Sequence, residues 1–241
     1  MMLTGLSLAG LSAVGCESAQ VIHAGRPDPL WPSDLVHPQV SGRAVAVGRP
    51  PVGPVRVPSK PPIKPTPPAG GGTVFRPIAR GQWAKGNPIP AKLNRMGSVS
   101  KITVHHEGWT VVNFTDVRTT AARMEAIRKG HLARLRAGDI GYHYIIDRAG
   151  RVWSGRSPAF QGAHVRANNP NNLGIMVLGN FEKQSPSAAQ LATLRSTLVT
   201  MKTKYRVPVS KIYTHRELSR SDCPGRILQA NMNTMRRGGL G

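Results

Sequence analysis

Asn172–Phe181 reads NLGIMVLGNF, a run apolar and β-branched enough to form a buried central strand. A strand of that kind needs cover on both faces, and the flanking sequence supplies it. Upstream, Gly141–Asp147 (GYHYIID) and Arg151–Arg156 (RVWSGR) enclose the turn residues Arg148-Ala149-Gly150 and predict a β-hairpin. Further upstream, Ser100–His106 (SKITVHH) alternates, with Ile102, Val104 and His106 on one face and Thr103 and His105 on the other. Between these strands, Val117, Ala121, Met124, Leu132 and Leu135 recur at helical spacing, predicting an amphipathic helix from about Thr115 to Ala137, stopped by Gly138. Downstream, Ser185-Pro186 opens a second helix with Pro at its first position and Leu191, Leu194, Leu198 and Tyr205 along its apolar stripe. A short strand near Lys211–Thr214 follows, then a loop and a Gly-rich tail. The expected fold is α/β, a mixed central β-sheet flanked by helices.

The rest of the 241-residue chain has a different composition. Residues 1–16 are uncharged up to and including Cys16, short and apolar, and finish on small residues; they read as a signal or lipoprotein-type signal. Residues 17–75 hold 13 of the 21 prolines and read as a disordered Pro/Gly-rich linker, because Pro denies the backbone helix and central-strand geometry. The folded domain is expected over 76–230, with 231–241 a flexible tail. From residue 76 onward 27 basic residues face 8 acids, a balance of +19 that attracts polyanions. The signal implies an exported protein, either of the cell envelope (periplasmic, or lipid-anchored at the membrane through Cys16) or secreted. Nucleic acid, anionic membrane and anionic cell-wall polymers are the polyanions such a basic field suits, and export argues against nucleic acid. No apolar run reaches the ~20 residues of a spanning helix.

Three residues ask for a joint explanation: His105, His215 and Cys223. Cys223 is the only cysteine after residue 16, and an exported chain has three uses for such a thiol: a bridge to Cys16, an inert buried side chain, or a metal ligand. Two imidazoles and a thiolate form a three-ligand set for a zinc ion that keeps one position open. His105 ends one strand and His215 follows another, so both can reach one sheet edge. Strand alternation turns His106 away from it.

The segments TVHHEGW, DIGYHYIIDRAGRVWSGR, GAHVRANNPNNLGIMVLGNF and THRELSRSDCPG, in that order, resemble the type 2 N-acetylmuramoyl-L-alanine amidases, a family that includes the peptidoglycan recognition proteins. RGQWAK (Arg80–Lys85) resembles the family's opening segment. The resemblance implies Zn2+ held by His105, His215 and Cys223. It also implies hydrolysis of the amide between N-acetylmuramic acid and L-alanine in peptidoglycan. Tyr142 matches the active-site tyrosine, and Ser221 takes the hydroxyl position two residues before the cysteine ligand. His131, His164 and Asn169 match positions that line the peptidoglycan groove, with Arg156 and Arg166 flanking them as partners for stem-peptide carboxylates. Glu107 stands where the family usually has Thr or Ser, and reads either as an extra base or as a solvated strand end. A non-catalytic peptidoglycan-binding recognition module is the other function the motifs permit.

Overall fold

The computed structural model describes residues 75–240; the signal-type residues 1–16 and nearly all of the Pro-rich segment lie outside the described residues. Five strands form one mixed sheet: β1 (Lys101–His106), β2 (Tyr144–Ile146), β3 (Val152–Ser154), β4 (Asn172–Val177) and β5 (Ile212–Thr214). Their order is β3-β2-β4-β1-β5. β4 is central and buried along its whole length, parallel to β1 on one side and β2 on the other. β5 continues the parallel set beyond β1, and only the edge strand β3 is antiparallel. The fold is therefore α/β, as the apolar central run required.

Helices cover both faces. Ile102, Val104, Leu173, Ile175 and Val177 pack with Leu194, Leu198 and Met201 of α2 (Ala188–Tyr205) and with Leu228 and Met232 of α3 (Arg226–Arg237). The opposite face joins Ile145, Trp153 and Met176 to Met124 and Ile127 of α1 (Val117–Arg134) and to Trp83. Each fully buried aliphatic side chain in these layers contributes about 1.5–3 kcal/mol. Trp83, from RGQWAK, donates its indole N–H to the Ser154 carbonyl at 2.8 Å and so docks the opening segment on the edge strand.

Several boundaries differ from the sequence expectation, each for a local reason. Asp116 caps α1 by accepting from the Thr119 N–H, and the helix ends at Arg134 with Arg136 in the left-handed region, before Gly138 is reached. Its buried face runs through Thr120, Met124 and Ile127, and Val117 is exposed. The phase is set by a buried Glu125–Arg128 ion pair that also accepts the Lys85 N–H. Helix α2 starts after Ser187, whose hydroxyl accepts the Gln190 N–H while the Gln190 amide returns to Ser187. This capping box, rather than Pro186 at the first position, fixes the start. The largest correction is α3, which occupies residues expected to be loop and tail. Leu228, Met232 and Met235 form a four- and three-residue stripe, Gly238 ends the helix, and Leu240 returns to the core.

Helix α3 also bears on the site. Arg236 places two N–H groups on the Glu217 carboxylate at 2.7 and 2.8 Å, and Glu217 accepts the Thr214 N–H and the Gln229 amide. Burial alone would raise the Glu217 carboxyl; the Arg236 fork and the Thr214 N–H outweigh it and hold it down at about 2. Because the folded value is depressed, the stabilisation is present above the ordinary carboxylate range and lost as pH falls toward 2. Glu217 faces solvent in part, so Glu217→Gln is expected to cost only about 0.5–1 kcal/mol at neutral pH. Urea unfolding at pH 7 should show that difference, and it should shrink as the pH is lowered through 4.5 toward 2.

Candidate metal centre

β1 and β5 are parallel neighbours, with Val104 opposite Thr214, so the residues that follow emerge at the same carboxyl edge of the sheet. His105, near the end of β1, and His215, immediately after β5, bring their rings to 4.8 Å centroid to centroid. Crevices at the carboxyl ends of parallel strands are where α/β sheets place ligands. Cys223 arrives on the turn between His215 and α3. The Arg216 N–H donates to the Cys223 carbonyl at 2.9 Å, and Ser221 Oγ accepts the Cys223 N–H at 3.1 Å. The Cys223 Sγ accepts the His106 N–H at 3.3 Å, a contact that favours a thiolate.

One donor atom from each of His105, His215 and Cys223 lies within 4.8 Å of the other two. Cys223 Sγ stands 3.6 Å from His105 Nδ1. A tetrahedral ion with Zn–N and Zn–S bonds of ordinary length separates nitrogen and sulfur donors by about 3.5 Å. The donor set thus fits zinc in both chemistry and spacing. Among the described residues no fourth His, Cys, Asp or Glu joins the group. His106 is turned to the other face, as alternation requires, where its Nδ1 accepts the Phe181 N–H at 3.3 Å. Among the described residues Cys223 has no disulfide partner.

Burial decides the protonation of these groups. It lowers His105 well below the usual imidazole range and His215 to about 4, so both are neutral, the form that ligates. Burial pushes the Cys223 thiol up to about 12, against the pull of the His106 N–H and Arg216, so an incoming cation has to displace its proton.

Tyr142 lies against three imidazoles, with ring centroids 5.2 Å from His105, 5.5 Å from His131 and 6.3 Å from His164. Burial, then the Cys223 and Glu107 charges, raise its phenol and keep it a proton donor. His131, on α1, accepts the Gly141 N–H at 2.8 Å and so braces the segment that presents Tyr142. Ser221 is half-buried and staples the Cys223 turn, with its hydroxyl proton still free to be donated.

Other expected site residues are placed differently. His164 is fully buried, and both ring nitrogens have protein partners. Asn169 is 2 % exposed; its Oδ1 accepts the His164 and Val165 N–H groups and ties the loop together. Arg156 is buried, donating to the carbonyls of Asp139, Ile140 and Gln161, and is unavailable to a carboxylate ligand. Arg166 is exposed. Glu107 is not a solvated strand end. Its side chain is buried and paired with Arg123 of α1, and one carboxylate oxygen is buried without a hydrogen-bond partner. The sequence reading missed Arg123 and Arg216, the charges beside Glu107 and Cys223. Neither stands at a spacing that would have singled it out.

A mixed α/β sheet with two imidazoles and a thiol converging at its carboxyl edge defines the class: a single domain built around one small donor set. Residues 95–226 match the N-acetylmuramoyl-L-alanine amidase family, and the chain belongs to that family. It is 31% identical over 155 residues to a pig N-acetylmuramoyl-L-alanine amidase, covering 64% of this chain and 25% of the pig protein. It is 36% identical over 113 residues to peptidoglycan-recognition protein SD of Drosophila simulans, covering 46% of this chain and 61% of the fly protein. The chain thus spans between a quarter and three fifths of these relatives. The crystal structure of Drosophila peptidoglycan recognition protein SD superposes with a TM-score of 0.59 at 27% identity, covering 65% of this chain and 92% of that one.

Proposed function

We propose that this protein hydrolyses the amide between N-acetylmuramic acid and L-alanine in peptidoglycan, as a zinc-dependent amidase. The observation that carries the proposal is the complete His105, His215 and Cys223 donor set beside a Tyr142 hydroxyl that has no hydrogen-bond partner among the described residues. His105, His215 and Cys223 would hold zinc, which supplies Lewis acidity and lowers the pKa of water. Tyr142 donates its phenolic proton in a hydrogen bond to the scissile carbonyl oxygen as negative charge develops there. Ser221, whose Oγ accepts the Cys223 N–H, is the second donor assigned to that oxygen. Water adds to the carbonyl carbon, the C–N bond breaks, and the products are a muramyl carboxylate and the free L-Ala amine.

The basic surface, +19 from residue 76 onward, supports accumulation on anionic wall polymers. The same reading places the protein outside the cytoplasm, facing the wall, with a lipid anchor at Cys16 as one means of retention. Mass spectrometry of digested sacculi tests the reaction. New peptides with a free L-Ala amino terminus are expected, and they should vanish on chelation. Binding to sacculi without such peptides would instead make the chain a recognition module.

A further inference from the structure

We propose that His164 is a positioning residue that fixes which nitrogen of His105 is offered to the metal. The proposal rests on the zinc reading of the His105, His215 and Cys223 group. His164 Nε2 lies 3.1 Å from the Asn172 carbonyl oxygen, and a carbonyl only accepts, so Nε2 carries the hydrogen. His164 Nδ1 then presents a lone pair. It faces His105 Nε2 at 3.0 Å, so His105 donates from Nε2 and its own lone pair is forced onto Nδ1. That is the nitrogen 3.6 Å from Cys223 Sγ. With the proton on His164 Nδ1 instead, His105 would have to accept at Nε2 and would turn an N–H toward the thiol. No lone pair would then be left on that side for a cation.

Each member of this relay is held in place. Asn172, the first residue of β4, accepts the Thr103 hydroxyl at 2.9 Å and donates to the Asn168 carbonyl at 2.8 Å. The His164 backbone N–H is anchored on Asn169. The ring itself occupies space that two glycines leave open. A Cβ at Gly162 would stand 2.1 Å from His164 Cδ2, and one at Gly174 would stand 2.6 Å from the same atom. Behind it, the His143 ring meets His164 edge-on at 5.8 Å and accepts the Gly174 N–H. A side chain packed this tightly, with both nitrogens engaged, has no face for substrate. Its reach is to the ligand, and outer partners of metal-bound imidazoles set tautomer, orientation and basicity.

Cobalt binding to the full chain tests the relay, read by the thiolate-to-cobalt charge-transfer band. His164→Phe, which removes the acceptor, is expected to weaken cobalt binding about ten- to a hundredfold and to alter the band. His164→Gln can accept from His105 with its amide oxygen and donate to Asn172 with its amide nitrogen. It should restore binding to within a few-fold of wild type. Wild type that takes up no cobalt overturns the zinc reading and the purpose of the relay with it. Wild type that binds, with His164→Phe matching it in affinity and spectrum, overturns the relay alone. Equal weakening in the Phe and Gln variants also overturns it, since packing would then be the cause. Long-range 1H–15N correlation on the metal-loaded wild type needs no variant: Nε2–H tautomers are expected for both His105 and His164, and an Nδ1–H on His164 refutes the proposal.

Discussion

Replacing Cys223 with Ala is expected to take bound zinc from one per chain to background and to abolish amide cleavage with it. Two neutral imidazoles remain in the variant, and two nitrogen donors do not make a structural or catalytic zinc site. The fold should survive. The Sγ is a small buried atom whose loss removes the His106 N–H contact, at a cost of about 1 kcal/mol. The turn keeps the Arg216-to-Cys223 backbone bond and the Ser221 staple, neither of which uses the sulfur. Elemental analysis, a thermal melt and the release of free L-Ala amino termini should therefore separate cleanly: metal and activity gone, melting temperature little changed. Full cleavage by Cys223→Ala would remove the metal from the mechanism altogether.

The approach of His105 and His215 to one another was legible because each sits at a position that local sequence rules can fix. Alternation along Ser100–His106 puts His105 and His106 on opposite faces whatever surrounds them, and a strand followed by His215 must deliver that side chain to a sheet edge. The two-layer helix cover was legible for the same reason, since the apolar run Leu173–Val177 of β4 leaves no solvent-facing side. The surroundings of His164, Asn169 and Arg156 were not. Whether His164, Asn169 and Arg156 face a ligand depends on how residues 155–171 fold back over β4, and nothing periodic governs a loop. In the structure Arg156 donates to the Asp139, Ile140 and Gln161 carbonyls, His164 bridges His105 and the Asn172 carbonyl, and Asn169 Oδ1 accepts the His164 and Val165 N–H groups. Glu107 shows the same limit from the other side. Its charge is answered by Arg123, sixteen residues away on a helix whose rotation is set by the buried Glu125–Arg128 pair, a tertiary fact with no signature in the spacing. Helix α3 was hidden by composition. Its apolar stripe is short, and the arginines and glycines around it read as tail.

Tyr142→Phe is expected to lower kcat by about 10²–10³-fold, the loss measured when one donor to a developing oxyanion is removed. KM and zinc content should stay close to wild type. The ring contacts with His105 and His131 use the aromatic face, which Phe retains. The deleted hydroxyl has no hydrogen-bond partner among the described residues, so no buried group is orphaned and stability should hold. The pH profile adds an independent reading. Burial raises the phenol above its ordinary value near 10, so Tyr142 stays protonated through the neutral and mildly alkaline range. An alkaline limb below pH 10 cannot then belong to Tyr142, and Tyr142→Phe should scale the whole profile down without changing its shape. If the limb moves instead, Tyr142 is exchanging a proton in that range as acid or base. If kcat is unchanged, the oxyanion is met elsewhere, with Ser221 the next donor to remove.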